Sequence, residues 1–191
     1  MKRDMTLTAT LLLVTSGLLM MVTLFFPWWT LKFWAPQYPE GLNIIVYPTK
    51  LEGEIDIING LNHYIGMALF SEETFPELQY FKYLIITASV VILIVAFLRN
   101  RMITQILAVL ALIGGGLGIA RMYYWLRTFG TNLDPRAPIE VEPFVPPIIG
   151  GNTIANFQTW SNFSFGGYLL MGCLILIVVA ALWKKRDVNH V

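Results

Sequence analysis

The chain has 191 residues, 56% hydrophobic and 13% charged, with a formal net charge of +1. A soluble domain is usually about 45–50% apolar and about 25% charged, so this composition calls for an apolar solvent and excludes an ordinary water-soluble globule. The near-neutral balance lacks the basic face of a nucleic-acid binder, and the lone Cys173 excludes an intrachain disulfide, a CxxC redox pair and a thiolate zinc site.

About 20 apolar residues in a helix cross a hydrocarbon core of about 30 Å, and four stretches qualify. The first covers Thr6 to Trp29 and ends in Phe25-Phe26-Pro27-Trp28-Trp29, where paired indoles suit a bilayer interface. Lys2 and Arg3 ahead of it also fit a signal peptide. The run exceeds the roughly 7–15 residues of a signal core, so a retained anchor is the expectation. The second run covers Tyr80 to Leu98 and the third Ile103 to Leu126, separated by Arg99-Asn100-Arg101-Met102, which predicts an antiparallel hairpin. In the third, Gly114 and Gly118 share a helix face and predict close helix packing, with a kink as the alternative. Arg121, near the end of that run, is expected to reach the headgroups or pair with a loop carboxylate. The fourth run, Gly166 to Trp183, holds Cys173 as a small packing residue and precedes Lys184-Lys185-Arg186.

Seven of the thirteen basic residues (Lys2, Arg3, Arg99, Arg101, Lys184, Lys185 and Arg186) sit in the termini and the short turn. Basic residues in short loops beside spans stay in the cytoplasm. The expected fold is therefore an all-α membrane domain spanning residues 1–191, with spans at 6–29, 80–98, 103–126 and 166–183. Both termini lie inside, and the segments 30–79 and 127–165 lie outside.

The first long segment opens with Ala35-Pro36-Gln37-Tyr38-Pro39-Glu40-Gly41-Leu42, which imposes extended and turn geometry. Residues 43–47 and 54–58 then read as a small β-hairpin around a turn at 48–53. In Ile58-Asn59-Gly60-Leu61-Asn62-His63-Tyr64-Ile65-Gly66-Met67, Asn59 can cap a short helix. His63 and Met67 would then lie four residues apart on one face. An imidazole and a thioether together suit copper, Cu(I) above all, and Met20, Met21, Met122 and Met171 are available to complete such a site. The plainer reading makes His63 a hydrogen-bonded loop residue and the methionines packing residues. Ser71 to Glu77 reads as a solvated acidic turn.

The second long segment carries five prolines between Asp134 and Pro147, which excludes a regular helix or a central strand. With Ile139, Val141, Phe144 and Val145 among its acids, it is expected to dock extended on another surface, of this protein or of a partner, through Pro138, Phe144, Pro146 and Pro147.

The motifs at residues 35–42 and 58–67 resemble those of a family of small four-helix bacterial membrane proteins. Some of its members lie near genes for copper delivery and nitrous oxide reductase maturation. The resemblance implies a bacterial inner membrane and strengthens the copper reading of His63 and Met67.

Catalysis by this chain alone is not expected. The outer side offers one histidine, His190 lies across the membrane from it, and no phosphate-binding, dinucleotide or EF-hand motif occurs. No span carries a mid-membrane acid or histidine of the kind an ion-coupled carrier uses. Two readings remain. The first is a non-catalytic accessory subunit of a larger membrane complex, in a hetero-oligomer with other integral membrane subunits, that complex being in one version a copper enzyme. The second is a copper-binding or copper-delivery protein.

Overall fold

The computed structural model describes residues 5–154 and 157–183. Lys2, Arg3, Lys184, Lys185, Arg186 and His190 lie outside the described residues. Four helices are long and apolar enough to cross a membrane, at Leu7–Phe25, Glu77–Leu98, Arg101–Thr131 and Phe165–Leu182. The chain is a membrane protein, but it is not all-α: a five-stranded antiparallel sheet stands at one end of the helices.

Helix α1 (Leu7–Val22) is capped by Thr6, whose Oγ1 accepts from the Ala9 amide at 3.2 Å. A 3-10 turn and Pro27 lead into β1 (Trp29–Ala35), which turns at Pro36-Gln37 into β2 (Tyr38–Val46), followed by β3 (Leu51–Gly53). A short helix α2 (Ile55–Tyr64) precedes the long helices α3 (Glu77–Leu98) and α4 (Arg101–Thr131). Strands β4 (Gly150–Ile154) and β5 (Phe157–Phe163) then lead into α5 (Phe165–Leu182).

The sheet order is β3-β2-β1-β5-β4. Trp29 pairs with Val46 on one side and Phe163 on the other, and Leu31 with Ile44 and Ser161. Trp29 and Leu31 are buried, as are Leu42, Ile44, Thr159 and Ser161 on the neighbouring strands. This inner face packs on Ile58 and Leu61 of α2 and on Met122 and Leu126 of α4.

The antiparallel β1/β5 pair continues the packed pair α1/α5. The Trp28 and Pro27 carbonyls accept from the amides of Ser164 and Gly166 at 3.0 and 2.9 Å. A Cβ on Gly167 would stand 2.3 Å from the Trp28 carbonyl oxygen, so only glycine fits there. Deeper down, Ser16 Oγ donates to the Cys173 carbonyl (2.9 Å) and Ser89 Oγ to the Gly17 carbonyl (2.6 Å). These fully buried hydroxyls tie α1 to α5 and to α3 through small residues, a common membrane packing device.

α3 and α4 are joined by Arg99 and Asn100 alone. Arg99 adopts a left-handed conformation (φ 49°), and Asn100 Oδ1 accepts from the amides of Met102 and Ile103 at 2.9 and 3.3 Å. The start of α1 meets this turn, the Met5 amide donating to the Arg99 carbonyl at 2.9 Å. Beyond the turn α3 and α4 barely touch: α3 leans on α1, and α4 on α5. At 1.5 Å per residue, 31-residue α4 is about 46 Å long, well over the roughly 30 Å of a hydrocarbon core. Its last turns enter the sheet end, where Phe129 stacks on Phe70 at 4.6 Å and on Phe75 at 5.4 Å.

Several expectations are corrected here. Trp29 is the first residue of a strand rather than the end of a span, because its side chain anchors the inner face of the sheet. Residues 55–58, expected as a strand, open α2 instead: Ile55, Ile58, Asn62 and Ile65 recur at helical spacing and face the core. The second long segment carries a β-hairpin, β4/β5, after its proline run.

Candidate functional site

The divergence of α3 and α4 leaves a cleft of about 830 Å³, which runs from the level of Val91 and Leu107 up to the inner face of the sheet. Leu84, Ala88, Leu110 and Ala111 form its walls at span level, α5 its back through Leu170 and Leu174, and β1, β5 and α2 its upper boundary. Few polar groups line it, Asn62, Glu77 and Arg121 among them.

Glu77 and Arg121 bridge the two helices where they diverge. The Arg121 guanidinium pairs with Glu77 Oε1, which also accepts from Trp125 Nε1 at 3.2 Å. The guanidinium stacks over the rings of Tyr124 and Trp125 at 5.0 and 4.9 Å, a cation–π arrangement. The other carboxylate oxygen, Oε2, is buried and has no hydrogen-bond partner among the described residues.

The stretch from Ile58 to Met67 divides into residues occupied by the fold and one that is not. Asn59 does not cap a helix. It sits inside α2, where its side chain accepts from the Phe70 amide (2.7 Å) and donates to the Phe70 carbonyl (2.9 Å). Gly66 has φ +75°, and its carbonyl accepts from the Asp134 amide at 2.9 Å; a Cβ there would strike the Asp134 backbone at 2.7 Å. Asn62 is different. Its backbone carbonyl accepts from the Ile65 and Met67 amides, but its side-chain Nδ2 is buried without a partner among the described residues, and the residue is only 3% exposed.

The structure does not place His63 and Met67 on one helical face. α2 ends at Tyr64, and the chain turns through the left-handed Gly66 before Met67. His63 is exposed, whereas Met67 is buried beside Ile65 and Phe129. Met20, Met122 and Met171 line the cleft along with Met67. Among the described residues no three His, Cys, Asp or Glu side chains cluster as metal ligands.

Gly114 and Gly118 also line the cleft, and neither would meet anything within 4 Å if given a Cβ; only Gly115 touches another helix, at Leu174 of α5. The helix runs unbroken through all four glycines. The proline-rich segment docks on its own chain. The Ile139 amide donates to the Tyr64 carbonyl and the Phe144 amide to the Gly130 carbonyl, both at 2.9 Å. Further along, Ser161 Oγ donates to the Pro147 carbonyl and Trp29 Nε1 to the Ile148 carbonyl. Pro146 is buried and Phe144 and Pro147 half-buried, while Pro138 is exposed. Near its start the Arg136 side chain and amide hold the Asp134 carboxyl below its ordinary pKa.

Asn62 and Glu77 escape a reading of the sequence for different reasons. Asn62 carries a signal, an amide on the apolar face marked by Ile55, Ile58 and Ile65. Glu77 carries none, because it follows Glu72 and Glu73 in an acidic stretch and its partner lies 44 residues away. Comparison with protein-family models, curated proteins and solved structures finds no match to this chain.

Proposed function

We propose that the chain is a non-catalytic accessory subunit of a larger assembly in a bacterial inner membrane, engaging other membrane subunits through α4. The observation that carries this reading is the bareness of that helix. From Leu112 to Arg121 every residue except Gly115 is exposed. Only 11% of the span is buried, against 28–33% in the other three. On the side away from the cleft, Ile106, Val109, Ile113, Leu117 and Tyr124 form an apolar stripe at helical spacing. The inner-membrane placement, with the sheet outside, rests on the basic residues around the α3–α4 turn and termini.

The test is purification in a mild detergent with a photo-crosslinking residue at Leu117, and a control at the similarly exposed Leu11 of α1. One partner captured at Leu117 but not at Leu11, in fixed stoichiometry, is the expected result. A chain that purifies alone and crosslinks equally at both positions defeats the reading.

A second reading, copper handling, is favoured by a separate observation: Met20, Met67, Met122 and Met171 are among the residues lining one apolar cleft, and thioether is a soft ligand suited to Cu(I). On this reading the same purified fraction should carry about one copper per chain, the stoichiometry of a single soft-ligand site. Its loss on Met67→Leu but not on His63→Ala places the metal in the cleft, and its absence removes the reading.

A further inference from the structure

We propose that the cleft between α3 and α4 binds a neutral bilayer amphiphile, with one hydrocarbon or isoprenoid tail and a small head group that both accepts and donates a hydrogen bond. The size and shape of the space argue for such an occupant. At about 830 Å³ the cleft has the size of a small-molecule site, which is usually about 300–1,000 Å³. The upper part of the cleft is also closed over by the sheet and α2, so a straight helix cannot follow it to its end. A flexible tail can. It enters sideways between Val91 on α3 and Leu107 and Leu110 on α4, at span level.

Chemistry at the upper end defines the head group. Asn62, a residue 3% exposed that lines the cleft, carries in Nδ2 a donor without a partner among the described residues. Buried polar groups are nearly always satisfied, and those that are not call for an explanation. Glu77, whose Oε2 is an acceptor without a partner among the described residues, is another residue that lines this space. A carbonyl or ether oxygen answers Asn62, and a hydroxyl answers Glu77. The charge of Glu77 is already balanced by Arg121, so an anionic head such as phosphate would meet a carboxylate with no second cation lining the cleft among the described residues. A neutral head fits. Monoacylglycerols and isoprenoid quinols share this chemistry and are the two sources to separate.

The experiment uses the full chain in mild detergent and a monoacylglycerol brominated on its acyl chain, because bromine quenches indoles that it touches and Trp28, Trp29 and Trp125 line the cleft. Quenching is expected to saturate. Asn62→Leu should raise the half-saturation concentration about ten-fold, the effect of one lost hydrogen bond to a buried group, while a brominated alkane without a head group is indifferent to that substitution. Gly114→Leu, which places a side chain in open space of the cleft, should abolish saturable quenching and serves equally if the Asn62 variant misfolds. Displacement of the bromolipid by a decyl-tailed quinol assigns the site to isoprenoid ligands, and failure of the quinol to compete assigns it to acyl ones; both support the proposal. Quenching that rises linearly with probe in the unmodified chain overturns it. So does a half-saturation point that neither Asn62→Leu nor Gly114→Leu moves.

Discussion

The two sides of the helical bundle are built by opposite rules. Where α1 meets α3 and α5, small residues let backbones approach, and Ser16 and Ser89 cross the interfaces with hydrogen bonds to carbonyls. Where α3 faces α4, Gly114, Gly116 and Gly118 approach nothing, and the polar links among the described residues are those of Glu77 to Arg121 and Trp125 at the sheet end. Glycine therefore has two meanings in one protein. At Gly17, Gly166 and Gly167 it admits a neighbour, and at Gly114 and Gly118 it leaves room. A small-residue motif alone does not distinguish them.

The sharpest way to break this contrast is to fill both kinds of glycine. Gly167→Leu drives a side chain into the Trp28 carbonyl and should cost more than about 4 kcal/mol, seen as loss of folded protein in detergent. Gly118→Leu should stay within about 0.5 kcal/mol of the parent in thermal unfolding, because its Cβ meets nothing. Equal losses would mean that α4 is packed as tightly as the rest. Next in size is Asn59→Leu, which removes two hydrogen bonds to Phe70 and leaves that backbone unpaired. The expected cost is about 2–3 kcal/mol, with faster amide exchange at Phe70 as the local readout. Ser89→Ala should cost about 1 kcal/mol by weakening the α1–α3 contact; no change in unfolding would show that small-residue packing alone holds those helices. Smallest is Arg121→Gln. The pair is partly exposed, so the stability loss should be under about 1 kcal/mol and should shrink with added salt. A larger, salt-independent loss would make the α3–α4 side depend on the Glu77–Arg121 pair.

The spans were legible in the sequence because each is a continuous apolar run, and the hairpin turn because Arg99 and Asn100 interrupt one. The sheet was not, for two physical reasons. Its central pairing joins Trp29 to Phe163, with most of the chain between them. Its inward positions on β5 are Thr159 and Ser161 while Trp160 points outward, so the usual alternation of apolar and polar residues is inverted there. The proline segment read correctly as extended, but not which surface it lies on, since its anchors are carbonyls and amides that any sequence supplies. The cleft left no mark of its own: an absence of contact between two apolar helices looks, residue by residue, like two ordinary spans. Only Asn62, an amide on an apolar face, pointed toward it.

The direct passage from the α1/α5 pair into the β1/β5 pair has a consequence for biogenesis. Strands β1 to β3 leave the ribosome early and can pair among themselves, but the second edge of β1 stays open until β5 is made. By then α3 and α4 have already been synthesised. For that interval Trp29 to Ala35 presents a row of unpaired amides and carbonyls beside the membrane, the kind of edge that recruits a wrong strand. The last helix thus seals the sheet as it inserts, and a chain cut before β5 would keep most of its membrane anchors while leaving a strand edge exposed on the surface.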